Sequence, residues 1–96
     1  MSIANGNKSD IPNEGVVLVD FWAPWCGPCK LLAPVLEKLD AAEEIEILKI
    51  NIDKNPEDAT EYGVLSIPTM VLLENGVEKK RISGYRSIDE LKNFIK

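Results

Sequence analysis

The feature that most restricts the fold of this chain is the pair of cysteines in W-C-G-P-C-K, residues 25–30. Cys26 and Cys29 are the only two cysteines in the chain. A C-x-x-C pair can form half of a zinc site, a structural disulfide or a redox centre. The sequence around the pair has to distinguish these possibilities.

The segment before the cysteines predicts a buried strand, and the segment after them predicts a helix. Residues 16–22, V-V-L-V-D-F-W, are almost all apolar, which is typical of a strand covered on both faces. From Cys26 to about Ala41, apolar residues share one helical face. They are Leu32, Val35, Leu36 and Leu39. The cysteines therefore lie in the first turn of a helix that follows a buried strand.

The rest of the chain predicts three further strands and two further helices. The strands are expected at residues 45–52, 69–73 and 79–83. One helix begins at Asn55-Pro56, with asparagine as the N-cap, and the last begins at a capping box at residues 87–90. This order predicts an α/β fold, a central mixed β-sheet with helices on both faces.

Length and charge limit the class of protein. The 96 residues are expected to form a single domain, 1–96, in which residues 1–15 form a short strand or irregular arm with at most one helical turn. This arm lacks the apolar core of a signal peptide, and no apolar run approaches the about 18 residues of a membrane span. We therefore expect a cytoplasmic protein. Its net charge of −5 disfavours binding to nucleic acid or to a membrane.

The surrounding chemistry favours a redox role for the cysteines. The chain has no histidine, which excludes Cys–His nucleophile pairs, and two thiolates would hold only half of a metal site unless two chains met. No metal is expected. Thiols at i and i+3 of a first helical turn lie about 5–6 Å apart, within disulfide range. The helix N-terminus favours a thiolate on Cys26, and Cys29 is expected to lie deeper.

The segment D-F-W-A-P-W-C-G-P-C-K, residues 20–30, resembles the active-site segment of the thioredoxin family. The match continues with K-I-N-I-D-K-N-P, Y-G-V-L-S-I-P-T and E-N-G, and it covers about residues 16–96 in the family's order and spacing. Related oxidants and isomerases usually carry a histidine between the cysteines, and glutaredoxins usually carry Pro-Tyr. The resemblance implies the thioredoxin fold and the activity of a protein-disulfide reductase.

The resemblance also implies a role for each matching residue. Cys26 would attack a substrate disulfide, and Cys29 would then attack Cys26 and release the reduced substrate. Asp20 would help to move the Cys29 proton, and Lys49 on the neighbouring strand would tune Asp20. Trp22 would pack beneath the site. The residues implied to receive the substrate are Trp25, Gly27, Pro28, Ile67, Pro68 as a cis-proline, and Gly84.

The residues alone leave other interpretations open. Asp20 could be a solvated strand-end acid, although its place in one apolar strand and that of Lys49 in another indicate a buried pair. Pro68 could be trans, and Trp25 could belong to the core. The domain could also be an interaction module on the same scaffold, or an oxidant or isomerase.

The electron source and the partners follow from the same reasoning. No glycine-rich nucleotide loop follows a strand, so the chain is expected to bind no nucleotide cofactor and to receive its electrons from another protein. The resemblance implies a thioredoxin reductase as that donor and disulfide-containing proteins as targets. We expect the protein to be a monomer.

Overall fold

The computed structural model describes residues 3–96, which form a five-stranded sheet with three α-helices. The strands are β1 (Ile3–Gly6), β2 (Val16–Trp22), β3 (Glu46–Asn51), β4 (Thr69–Glu74) and β5 (Val77–Ser83). The helices are α1 (Gly27–Glu43), α2 (Pro56–Glu61) and α3 (Ile88–Phe94), and a single 3₁₀ turn spans Lys8–Asp10. These bounds lie close to those predicted from the sequence.

The sheet is mixed, as predicted, and β2 lies at its centre. The strand order is β1-β3-β2-β4-β5. β2 runs parallel to β3 and antiparallel to β4. In this register Asp20 of β2 lies beside Lys49 of β3 on one side and Met70 of β4 on the other. The sheet therefore places the two predicted charged partners on neighbouring central strands.

Helices cover both faces of the sheet, which confirms the predicted layers. Because side chains alternate along a strand, Leu18 and Asp20 point to one face and Val19 and Phe21 to the other. Leu18 packs with the apolar residues of α1 and α3. Val19 and Phe21 pack on the opposite face against Tyr62, Val64 and Ile11. Asp20 therefore lies on the face that α1 covers.

The N-terminal arm consists of β1 and the 3₁₀ turn, which matches the expected short strand and single helical turn. Residues 1–2 of the predicted arm lie outside the described residues. β1 pairs in parallel with β3, so that Ile3 lies beside Ile47. The backbone N–H of Lys8 donates to Oδ2 of buried Asp58 at 2.8 Å, which attaches the arm to α2.

The two predicted helix starts differ in how they are capped. Ser87 and Glu90 form the expected reciprocal capping box at α3. Asn55 occupies the N-cap position of α2, but its side chain makes no capping hydrogen bond. Its Nδ2 instead donates to the carbonyl oxygen of Asn51 at 3.1 Å. The predicted N-cap position of Asn55 is therefore confirmed, although its side chain bonds to the end of the preceding strand and not to the helix.

Among the helices of residues 3–96, none combines the length and the apolar character that crossing a membrane would require.

Candidate active site

The start of α1 is built around the sulfur of Cys26. Cys26 is the N-cap of the helix and has an extended backbone, and its Sγ accepts the backbone N–H of Cys29 at 3.2 Å. Gly27 and Pro28 occupy the first two helical positions, where the missing N–H of a proline leaves no intrahelical bond unmade. The first turn of the helix thus directs a backbone donor at this sulfur.

Cys26 and Cys29 are joined by a disulfide, and their Cα atoms are 5.3 Å apart. Both residues are buried, with 5% of Cys26 and 4% of Cys29 exposed. We expected Cys29 to lie deeper, but the two exposed fractions are almost equal. The two cysteines differ in their contacts. The Sγ of Cys26 lies 3.8 Å from the carbonyl oxygen of Ile67, and it alone of the two caps the helix.

The disulfide rests on a small apolar cluster. Ala23 is fully buried beside the two cysteines, and Trp22, Ile52 and Ile67 pack against the group. The position of Trp22 beneath the site confirms the expectation drawn from the family resemblance. Its indole Nε1 is buried and has no hydrogen-bond partner among the described residues.

Trp25 lies at the surface next to the disulfide. Its side chain is 66% exposed, so it does not belong to the core. The indole Nε1 donates to both carboxylate oxygens of Asp53, at 3.2 and 3.0 Å. Gly27 and Pro28 are also exposed. Sequence reasoning missed Asp53, although its position directly after the β3 segment was a usable signal.

An apolar depression of about 210 Å³ begins at Trp25. It is lined by Trp25, Ile52, Val64, Leu65, Ser66 and Ile67. Leu65 is 98% exposed, which is unusual for a large apolar side chain. Sequence analysis gave a role only to Trp25 and Ile67. Val64, Leu65 and Ser66 directly precede Ile67 in the chain, whereas the fold brings Ile52 to them.

A second part of the site contains Ile67, Pro68 and Gly84. The Ile67–Pro68 peptide bond is cis, as the resemblance implied. The backbone N–H of Gly84 donates to the carbonyl oxygen of Pro68 at 2.8 Å. Gly84 has a φ of +88°, a backbone conformation that residues with a side chain rarely adopt. The structure therefore joins two predicted residues that are distant in sequence.

Asp20 is a buried acid with an incomplete set of partners. Only 2% of the residue is exposed, and its Oδ1 has no hydrogen-bond partner within residues 3–96. Burial raises the pKa of the carboxyl group from 3.8 to about 7, and the positive charge of Lys49 opposes this rise. Lys49 is only partly buried, and its Nζ lies 4.7 Å from the centroid of the Trp22 ring. The prediction that desolvation outweighs Lys49 is confirmed.

Comparisons with known proteins show the family of this chain. The thioredoxin family model matches residues 4–96. A thioredoxin from Bacillus subtilis is 48% identical over 85 residues, which cover 86% of this chain and 82% of that protein. A thioredoxin from Alicyclobacillus acidocaldarius is 40% identical over 94 residues, covering 95% of this chain and 90% of that protein.

A solved structure extends the comparison to the fold. A mutant thioredoxin from Halobacterium salinarum matches with a TM-score of 0.86 at 36% identity, covering 97% of this chain and 85% of that chain. The sequence and structural matches therefore span the same elements that carry the disulfide. The chain belongs to the thioredoxin family and is a thiol–disulfide oxidoreductase with a redox-active cysteine pair.

Proposed function

We propose that this chain reduces protein disulfides with Cys26 as the nucleophile and Cys29 as the resolving thiol. The observation that carries this assignment is the hydrogen bond from the Cys29 N–H to the Sγ of Cys26 at the start of α1. A backbone donor and the positive end of a helix dipole stabilise a thiolate, which is the nucleophilic form of cysteine. The described contacts give Cys26 this environment.

The exchange takes place in two steps. The Cys26 thiolate attacks one sulfur of the target disulfide, the target S–S bond breaks, and the second target sulfur leaves as a thiolate that takes up a proton. Cys29 then loses its proton and attacks the Sγ of Cys26. The mixed disulfide breaks, and the target sulfur that Cys26 had attacked leaves as a thiolate and takes up a proton. The target gains two electrons, and the protein is left with the Cys26–Cys29 disulfide.

Asp20 is proposed to take up the proton that Cys29 loses. It lies on the face of the sheet that α1 covers, and its raised pKa of about 7 lets it exchange a proton near neutral pH. Lys49, its neighbour in the sheet register, limits the rise and so tunes this pKa. In this proposal Asp20 transfers the proton and Lys49 adjusts the pKa of Asp20.

The substrate is proposed to bind on the surface around the disulfide. The exposed residues Trp25, Gly27 and Pro28 form one side of this surface. The surface continues with Ile67, Pro68 and Gly84, and the Ile67 carbonyl lies against Cys26. A largely apolar surface discriminates weakly among side chains, and it therefore suits extended segments of many target proteins.

The proposed partners are a thioredoxin reductase, which would return electrons to the disulfide, and disulfide-containing target proteins. Membership of the thioredoxin family supports both. We further propose that the protein acts as a cytoplasmic monomer.

Insulin reduction by dithiothreitol tests the proposed activity. The protein should accelerate insulin precipitation, and a Cys26→Ser, Cys29→Ser double variant should leave it at the rate of dithiothreitol alone. No acceleration by the parent protein would favour the interaction module. A redox titration that finds a strongly oxidising disulfide would favour the oxidant instead, and turnover with added reductases would identify the electron donor.

A further inference from the structure

The segment 66–68, beside the disulfide, is held by a hydrogen bond at each of its ends. At its start, the Oγ1 of Thr69 donates to the carbonyl oxygen of Ser66 at 2.6 Å. At its end, the carbonyl oxygen of Pro68 accepts the backbone N–H of Gly84 at 2.8 Å. The second bond joins two backbone groups, whereas the first depends on a side chain. Residue 69 therefore acts on this segment through its hydroxyl group.

The hydroxyl of Thr69 has a second partner, the Oγ of Ser83, at 3.0 Å. Thr69 and Ser83 are paired residues of β4 and β5. A hydroxyl has one proton, and Thr69 gives it to the Ser66 carbonyl, which can only accept. Ser83 is therefore the donor in the hydroxyl pair. The two bonds form a chain from Ser83 through Thr69 to Ser66, and this chain directs the Thr69 proton at the carbonyl.

Burial makes the Thr69 hydroxyl hard to replace. Only 2% of Thr69 is exposed, so water has little access to this position. An apolar side chain of the same shape would leave the Ser66 carbonyl without its donor unless the segment moved. Ser83, in contrast, is exposed, so its side chain can be changed with less effect on packing.

Ile67 lies between the two bonds and next to the reacting sulfur. Its carbonyl oxygen is 3.8 Å from the Sγ of Cys26. Neither its N–H nor its C=O bonds to another backbone group within residues 3–96. Backbone groups of this kind can pair with an extended segment of a target protein, in the manner of an added strand. Their position depends on the bonds that hold the segment on either side of Ile67.

We propose that Thr69 is a positioning residue for protein substrates, and that its hydroxyl, oriented by Ser83, holds the Ile67 backbone in place beside Cys26. This inference rests on the proposed reductase function and adds to it a selective effect. A protein target presents peptide groups that can pair with Ile67, whereas a small disulfide presents none. Loss of the Thr69 hydroxyl should therefore slow the reduction of a protein target and spare that of a small disulfide.

Two disulfides of different size test the proposal. The reduced protein is mixed with insulin or with hydroxyethyl disulfide, which has no peptide group, and the oxidation of its cysteines is followed by alkylation and mass spectrometry. Thr69→Val should react with insulin about three- to tenfold more slowly, which is the effect of about one hydrogen bond. Its rate with hydroxyethyl disulfide should stay within about twofold of the parent rate. Thr69→Ser, which keeps the hydroxyl, should restore most of the insulin rate.

Two further variants complete the set. Ser83→Ala removes the exposed hydroxyl of the pair, so it tests the same chain of bonds even if Thr69→Val does not fold. It should slow the reaction with insulin about two- to threefold and leave that with hydroxyethyl disulfide unchanged. Thr60→Val is the matched control, because it removes a bond of the same kind from α2, where Oγ1 donates to the carbonyl oxygen of Pro56 at 3.1 Å. It should leave both rates unchanged.

Several results would overturn the proposal. One is a Thr69→Val or Ser83→Ala variant that reacts with insulin at the parent rate. Another is an equal loss of rate with both disulfides, because the substitution would then disturb the whole site. A Thr69→Ser variant as slow as Thr69→Val would show that the hydroxyl is not the group that matters. A parent protein that reacts with neither disulfide would contradict the proposed function itself, and this inference with it.

Discussion

Replacing Asp20 by alanine should stabilise the oxidised protein at neutral pH. The pKa of this carboxyl is raised from 3.8 to about 7, because burial outweighs the attraction of Lys49. The native state therefore holds the proton more tightly than the unfolded chain does. The stability contributed by this group is complete below its unfolded pKa and is lost as the pH rises through about 7.

The structure sets the size of this effect. Each pH unit between the two pKa values corresponds to about 1.4 kcal/mol, so the charged Asp20 costs about 4 kcal/mol at pH 8. The alanine variant avoids this cost but leaves a cavity, which costs about 1–2 kcal/mol. The net gain is about 2–3 kcal/mol, or an increase in Tm of about 10–20 °C. At pH 4 only the cavity remains, so the variant should be the less stable protein.

Urea unfolding of the oxidised proteins from pH 4 to pH 9 measures this difference, and the disulfide keeps the thiols from titrating. Asp58→Ala is the matched control, because Asp58 is also buried but accepts the backbone N–H of Lys8. It should lower the free energy of unfolding by about 1–3 kcal/mol at neutral pH. Asp20→Ala should also slow insulin reduction. A stability difference between parent and Asp20→Ala that does not change with pH would refute the reasoning.

Three further predictions concern the site itself. Cys29→Ser should accumulate mixed disulfides with target proteins, whereas Cys26→Ser should not; trapping and mass spectrometry would show the reverse if the two roles are exchanged. Asp53→Ala should release the Trp25 indole, alter its fluorescence and lower kcat/KM for insulin about three- to tenfold. An unchanged kcat/KM would show that the orientation of Trp25 does not affect substrate binding. Gly84→Ala should lower the free energy of unfolding by about 1–2 kcal/mol, because its φ of +88° strains a residue with a Cβ; a calorimetric Tm equal to that of the parent would contradict this.

Local patterns predict most of the fold. Three sequence patterns each predict a single helix or strand. They are the apolar segment of β2, the helical spacing after Cys26 and the capping box at Ser87. Short-range packing and hydrogen bonding set these patterns, so they are readable without the fold. The cis bond before Pro68 differs, since only the resemblance to a known family predicted it.

Contacts between distant segments were less predictable. The bond from Trp25 to Asp53 depends on how the loop after β3 lies beside the start of α1. The similar burial of the two cysteines depends on the cluster around them. Each outcome is decided by the three-dimensional arrangement.

The short span of the disulfide has a consequence for folding. Cys26 and Cys29 are three residues apart in sequence, so their bond closes a very small loop. The loss of chain entropy in the unfolded state grows with loop length, and here it corresponds to only about 2 kcal/mol, against about 5 kcal/mol for a loop of about 100 residues. The bond restricts little more than one turn of chain. We therefore expect a reduced protein to keep its fold, so that electrons can be gained and lost repeatedly without unfolding.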